Sequence, residues 1–139
     1  MGVALSDNSR DYREALDYLF ARTTEKSKLG LERTAALLRE MGNPQERLRS
    51  LHVAGTNGKG SVCATLDVLL RTKGLRVGKY TSPHLVDFRE RFLVNGRPVD
   101  EQFVGDFIQR WTPTVERIGA TFFEATTAMA FDLFSREEV

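Results

Sequence analysis

A short glycine-rich segment between a predicted strand and a predicted helix constrains the fold of this 139-residue chain more than any other feature. Its sequence is Gly55-Thr56-Asn57-Gly58-Lys59-Gly60-Ser61. The run Leu48–Ala54 before it predicts a buried strand, and the apolar spacing after it predicts a helix. A second strand is predicted at Leu75–Tyr80. Residues 48–81 are therefore predicted to form a strand–loop–helix–strand unit of an α/β fold, with parallel strands.

The same segment predicts phosphate binding. Glycines let successive backbone N–H groups turn inward and let the backbone approach a ligand closely. The start of the following helix adds a partial positive charge that favours an anion. Lys59 is placed to reach the β- and γ-phosphates of a nucleotide, and Ser61 supplies a hydroxyl group at the helix start.

The segment departs from the common phosphate-loop pattern G-x-x-x-x-G-K-[ST] at two positions. Val53 stands where the first glycine belongs, and Gly60 separates Lys59 from Ser61. The alternative interpretation is a glycine-rich turn with an incidental lysine. Three glycines, a lysine and a hydroxyl group that coincide after a predicted strand favour the phosphate loop.

The remainder of the chain is predicted to be mostly helical. A helical N-terminal segment is predicted over residues 11–42, and a loop and hairpin over 82–99, where Asn95-Gly96 is a favoured tight-turn pair. Two further helices are predicted at 101–118 and 122–136. The pattern Thr121-x-x-Glu124 is typical of a capping box at the start of the last one.

Composition narrows the range of partners and compartments. Twenty basic residues against nineteen acidic ones give a formal net charge of +1, which provides no whole-chain attraction to nucleic acid or to an anionic membrane. No apolar run approaches the roughly 20 residues of a membrane helix, and the polar start lacks a signal-peptide core. The single cysteine, Cys63, excludes an intrachain disulfide and a multi-cysteine metal site. We expect a cytoplasmic protein that binds neither nucleic acid nor membrane.

The glycine-rich segment resembles the phosphate loop of folylpolyglutamate and dihydrofolate synthases, a branch of the Mur ligase superfamily. Gly60, inserted between the lysine and the hydroxyl residue, is typical of the folate branch. The similarity extends over about residues 26–135. Its further matching segments are Leu29-Gly30-Leu31-Glu32-Arg33, Gly42-Asn43-Pro44, Tyr80-Thr81-Ser82-Pro83-His84-Leu85, Glu90-Arg91, Asn95-Gly96 and Thr121-Phe122-Phe123-Glu124.

The resemblance implies a phosphate-loop, Mur-ligase-type ATP-binding domain of the α/β class with a parallel sheet. Residues 1–139 would be its N-terminal portion, without its C-terminal part and without the second domain. In this family ATP phosphorylates a carboxylate of a pteroate or folate, and the amine of L-glutamate then attacks the acyl phosphate. The resemblance therefore implies an ATP-dependent carboxylate–amine ligase that uses ATP and Mg²⁺ and is a monomer when full-length.

Three functional alternatives follow. The full-length protein would ligate L-glutamate to dihydropteroate, to reduced folates or to both, with this chain alone inactive. The chain could instead be a non-catalytic nucleotide-binding fragment. It could also belong to another Mur-type amino-acid ligase, against which Gly60 and the segment Thr121–Glu124 argue.

The resemblance also assigns roles to particular residues. The ATP-binding residues would be Gly55, Thr56, Asn57, Gly58, Lys59, Gly60 and Ser61. Lys59 among them would be catalytic. Ser82 would ligate Mg²⁺, although neighbouring Thr81 could be confused with it, and Ser82-Pro83 could simply end the strand. His84, without an identified partner, is expected to have a role in the loop.

Substrate contacts are implied at two further places. Thr121 and Phe123 would contact the pterin, since a flat heterocycle stacks well on an aromatic ring. The alternative is that Thr121 only caps the helix while Phe122 and Phe123 pack in the core. Ser27, Lys28 and Leu29 align with a second substrate-contacting stretch.

Overall fold

The computed structural model describes residues 7–24 and 30–139. Within these residues the chain forms five α-helices and three short strands. The helices are α1 (Asp7–Ala21), α2 (Glu32–Glu40), α3 (Lys59–Thr72), α4 (Glu101–Ile118) and α5 (Phe122–Arg136). The strands are β1 (Gly78–Tyr80), β2 (Phe92–Val94) and β3 (Arg97–Pro98).

The three strands form one antiparallel sheet in the order β1-β2-β3. Gly78 lies opposite Val94 in the β1–β2 pair. β2 and β3 are joined by the predicted Asn95-Gly96 turn, which the structure confirms. Both turn residues have positive φ angles, +49° and +77°, which a two-residue hairpin turn of this kind requires.

The predicted parallel unit over residues 48–81 is not formed within the described residues. Leu48–Ala54 forms no strand, and Leu51 is 68% exposed. β1 begins at Gly78 and pairs antiparallel with β2. The physical reason is that a parallel strand needs neighbouring parallel strands and cover on both faces. Within the described residues, β1 instead pairs with the nearby hairpin, which requires only a short connection.

The described residues divide into two compact units. The first contains the described parts of 1–43 together with 100–129, so it includes α1, α2, α4 and the start of α5. α1 packs along α4, and α2 also contacts α4. Apolar residues at helical spacing supply its core. The fully buried large side chains of this unit are Leu19, Leu37, Val104, Val115, Thr126 and Met129.

The second unit contains residues 44–99 and 130–139, and therefore α3, the sheet and the end of α5. Its core is built around Phe92, whose ring lies 5.5 Å from that of Tyr80 and 5.4 Å from that of Phe88. Phe134 packs so closely on Gly78 that a Cβ atom there would lie 2.5 Å from its ring. Glycine at position 78 is therefore required by packing.

Candidate functional site: the phosphate loop and the start of helix α5

The backbone of the glycine-rich loop matches what an anion site needs. Gly55 and Gly58 have φ angles of +151° and +78°, which residues other than glycine rarely adopt. Gly58 is the N-cap of α3, and it has no side chain with which to cap the helix start. The first N–H groups of a helix have no acceptor within the helix. The loop therefore presents uncapped backbone donors at the positive end of α3.

Gly60 has a different explanation from Gly55 and Gly58. It lies within α3 with an ordinary helical conformation. Among the described residues, and apart from its chain neighbours and the backbone of its own helix, no atom lies within 4 Å of a Cβ atom built there. Neither backbone strain nor protein packing therefore requires glycine at this position. A glycine that leaves open space beside a helix start lets a ligand approach the backbone closely. The geometry of the loop thus fits a bound phosphate.

Lys59 lies over the loop that precedes it. Its Nζ atom donates to the carbonyl oxygens of Gly55 at 2.5 Å and Thr56 at 3.3 Å. An ammonium group has three N–H donors, so these two contacts leave one for a ligand. Ser61, next along the helix, is exposed, and its carbonyl oxygen accepts a hydrogen bond from the Thr65 hydroxyl at 2.9 Å. Thr56 and Asn57 are also exposed.

Ser82 lies in the second unit, two residues after β1, and is exposed. The loop that follows it is held by Glu90, a contact that sequence reasoning missed. The Glu90 carboxylate accepts backbone N–H bonds from Leu85 at 2.8 Å, Val86 at 3.1 Å and Asp87 at 2.9 Å. Leu85 and Val86 are each 91% exposed, so backbone hydrogen bonds fix this part of the loop, with little side-chain burial.

His84 has a structural partner in this loop. The buried Arg91 donates from Nε to His84 Nδ1 at 2.8 Å, and the His84 ring lies edge-on to Phe88 at 5.9 Å. Burial lowers the pKa of Arg91, and interactions with Tyr80 partly oppose this shift. His84 therefore connects the loop after β1 to Arg91 and Phe88, which is a structural role in the loop.

The start of α5, in the first unit, forms the predicted capping box. Thr121 N donates to Glu124 Oε2 at 2.8 Å, and Glu124 N donates to Thr121 Oγ1 at 3.3 Å. The two neighbouring phenylalanines differ in environment. Phe122 is buried and stacks on Phe20 at 5.6 Å, whereas Phe123 is 57% exposed. Phe123 is therefore not a core residue. Residues 27–29 lie outside the described part of the chain.

Glu124 also forms an ion pair that the sequence did not indicate. Arg33 in α2 donates from Nε to Glu124 Oε2 at 3.0 Å, and Arg33 Nη2 lies 2.9 Å from Oε1. Burial by itself raises the pKa of Glu124, but hydrogen bonds from Arg33 and Thr121 outweigh burial and lower it. The carboxylate is therefore charged and held from two directions.

Within residues 7–24 and 30–139, no three side chains of His, Cys, Asp or Glu are grouped as a metal site. None of the helices in the described residues combines the length and apolar character that crossing a membrane requires.

The Glu90 contacts predict a pH dependence of stability. Hydrogen bonds from the backbone N–H groups of Asp87 and Leu85 lower the pKa of Glu90. A lowered pKa in the folded state stabilises the fold at pH values above the unfolded pKa, about 4.3, and this stabilisation is lost as the pH falls through the folded pKa. We expect Glu90→Gln to reduce the stability of the fold at pH 7. We also expect the variant to lose less stability than the unmodified protein when the pH is lowered.

The measured quantity is the urea concentration at which half of the protein is unfolded, determined at several pH values from 7 to 3. Glu46→Gln, at an exposed glutamate, is the matched control and should follow the unmodified protein. Parallel pH profiles for Glu90→Gln and the unmodified protein would contradict this role for Glu90.

Comparison with known proteins gives consistent matches over nearly the whole chain. No family model matches it. The dihydrofolate synthase/folylpolyglutamate synthase of Bacillus subtilis is 36% identical over 130 residues, which are 89% of this chain and 30% of that protein.

Solved structures give the same result. The folylpolyglutamate synthase of Thermotoga maritima has a TM-score of 0.87 at 38% identity, over 95% of this chain and 32% of that one. The Mycobacterium tuberculosis folylpolyglutamate synthase, solved in complex with ADP and AMPPCP, has a TM-score of 0.86 at 32% identity, over 96% and 30%. The chain spans 30% to 32% of the length of these three relatives. Its sequence and its fold both place it in the family of folylpolyglutamate and dihydrofolate synthases.

Proposed function

We propose that this chain is the nucleotide-binding part of a longer ATP-dependent ligase, called here the complete ligase. The ligase joins L-glutamate to dihydropteroate, to reduced folates or to both. The observation that carries this proposal is the uncapped start of α3 behind Gly55–Ser61, with open space beside Gly60. The ADP and AMPPCP complex of the M. tuberculosis relative supports nucleotide binding by this family.

The chemistry proceeds in two transfers. A carboxylate oxygen of the pterin substrate attacks the γ-phosphorus of ATP, and ADP leaves. The amine of glutamate then attacks the acyl carbon, phosphate leaves, and the amine proton is lost. The N–H groups at the start of α3 bind the phosphates. The Lys59 ammonium group donates its third N–H to the transferred phosphoryl group, and its positive charge neutralises the negative charge there.

Ser82 is the residue of this chain that we propose for Mg²⁺. A hydroxyl oxygen is a suitable but weak ligand for this hard cation, which prefers carboxylates and water. Its exposed position on a loop fixed by Glu90 fits one ligand among several. The bound ion would supply charge neutralisation on the phosphates.

The parallel sheet of a Mur-type ATP-binding domain is also proposed, for the complete ligase. The support is the apolar face of α3, where Val62, Val68 and Leu69 are exposed in the described chain. Strands supplied by the longer protein would cover this face. We further expect the complete ligase to be a cytoplasmic monomer that binds neither nucleic acid nor membrane.

The proposal is tested by supplying the complete ligase with Mg-ATP, L-glutamate and one acceptor at a time. The acceptors are dihydropteroate, a reduced folate and a cell-wall precursor. Mass spectrometry should show one glutamate added to a pterin acceptor and none to the cell-wall precursor. Addition to the precursor alone would favour another Mur-type ligase, and addition to none of them would contradict the proposed ligation of L-glutamate.

Phe123→Ala should raise the KM for the pterin acceptor about tenfold and leave the KM for ATP unchanged, because an exposed ring that stacks on the pterin is removed. Steady-state kinetics of the complete ligase measure both constants. Phe122→Ala is the contrasting control and should lower the melting temperature, since Phe122 is buried against Phe20. Equal rises of both KM values in Phe123→Ala, with a large loss of stability, would contradict pterin contact.

Ser82→Ala should raise the Mg²⁺ concentration for half-maximal activity about tenfold or more, because the ion loses an oxygen ligand. Thr81→Val is the matched control on the neighbouring hydroxyl and should leave the Mg²⁺ titration unchanged. A shifted titration in Thr81→Val and an unshifted one in Ser82→Ala would assign the ligand to Thr81.

A further inference from the structure

Arg33 and Glu124 connect two helices of the first unit that are far apart in sequence. Arg33 is the second residue of α2, and Glu124 lies in the first turn of α5. Both oxygens of the carboxylate face the guanidinium group, at 3.0 and 2.9 Å. The side chains are 19% and 8% exposed, so solvent screens this ion pair only weakly.

The same carboxylate also orders the start of α5. Glu124 Oε2 accepts from both Arg33 Nε and the backbone N–H of Thr121. The Thr121 hydroxyl in turn accepts from Glu124 N at 3.3 Å. The guanidinium group is therefore connected through one carboxylate to the backbone that carries Thr121 and Phe123.

Among the described residues, the two neighbours of Phe123 in sequence join the start of α5 to two different helices. The Phe122–Phe20 stack holds the apolar side of the α5 start against α1. The Arg33 pair holds it to α2, and a fork-to-fork pair fixes the orientation of both planar groups, which a lysine cannot do.

We propose that Arg33 is a positioning residue for pterin binding, which it performs by holding Glu124 and, through it, Thr121 and Phe123 in place. The inference rests on the proposed function, because it deepens the assignment of the pterin-contacting segment. Arg33 itself needs no contact with the substrate.

The test uses Arg33→Lys in the complete ligase, which keeps the positive charge and removes the fork. The KM for the pterin acceptor should rise about tenfold, while the KM for ATP and kcat stay within about twofold of the unmodified enzyme. Arg39→Lys is the matched control, since Arg39 lies exposed on the same helix, and it should change neither constant.

Glu124→Gln provides the second arm. It should raise the same KM, and the double variant Arg33→Lys/Glu124→Gln should be no worse than the poorer single variant, because both remove one interaction. A lower melting temperature with unchanged pterin KM in both single variants would show a purely structural pair and overturn the inference. Independent, multiplicative effects of the two substitutions would also overturn it. Failure of the unmodified enzyme to use any pterin would instead contradict the proposed function.

Discussion

Replacing Lys59 by alanine should lower the kcat of the complete ligase by about a hundredfold to a thousandfold and leave the fold intact. The proposed chemistry requires neutralisation of charge on the transferred phosphoryl group, and Lys59 is the cation of the proposed phosphate loop. Its Nζ atom lies against the carbonyl oxygens of Gly55 and Thr56, which places the ammonium group over the loop. Since the side chain is exposed, its removal costs little packing.

Single-turnover kinetics measure the loss of catalytic rate, and circular dichroism shows whether the fold is intact. Lys73→Ala is the matched control, because Lys73 is an exposed lysine at the opposite end of α3. It should retain full activity. Near-normal kcat in Lys59→Ala with an unchanged spectrum would remove Lys59 from the catalytic assignment.

The 139-residue polypeptide on its own should ligate no glutamate to any pterin or folate. Ser61 and Ser82 offer neutral hydroxyl groups, whereas Mg²⁺ in such sites normally has at least one carboxylate ligand. Glu124, the carboxylate nearest in sequence to the residues proposed to contact the pterin, already accepts hydrogen bonds from Arg33 and Thr121. The relatives are also three or more times longer than the matched region. Without further ligands and cover, the acyl phosphate would be poorly stabilised and open to water.

The polypeptide is incubated with Mg-ATP, L-glutamate and dihydropteroate or a reduced folate, and the products are separated by mass. The complete ligase under the same conditions is the positive control. Multiple-turnover ligation by the short polypeptide would show that the catalytic machinery lies within residues 1–139.

Local sequence signals predicted the local structure well. Asn95-Gly96 specified its turn because few residues tolerate two consecutive positive φ angles. Thr121 and Glu124 specified the capping box because both partners lie within one helical turn. Gly58 at the start of α3 likewise follows from the strain that its φ angle would impose on another residue.

Features that depend on distant residues could not be predicted. The Arg33–Glu124 pair spans 91 positions, and neither residue has a local pattern that indicates the other. The strand predicted at Leu48–Ala54 failed for a related reason. The apolar residues at the end of this segment, from Val53, indicate that it could be buried, but the pairing of a strand depends on which strands are available beside it. For β1, the available partner was the hairpin.

The phosphate loop itself is tested most directly by Gly60→Ala in the complete ligase. Outside the local backbone, a Cβ atom at this position meets no atom of the described residues within 4 Å, and alanine favours a helix more than glycine does. The unliganded protein should therefore be as stable as the unmodified one or slightly more stable. Calorimetry should nevertheless show ATP binding weakened at least about tenfold, because the methyl group occupies the space through which a phosphate approaches the backbone. Binding of adenosine, which has no phosphate, should be unchanged. Equal ATP affinity in the unmodified and Gly60→Ala proteins would contradict phosphate binding at the start of α3.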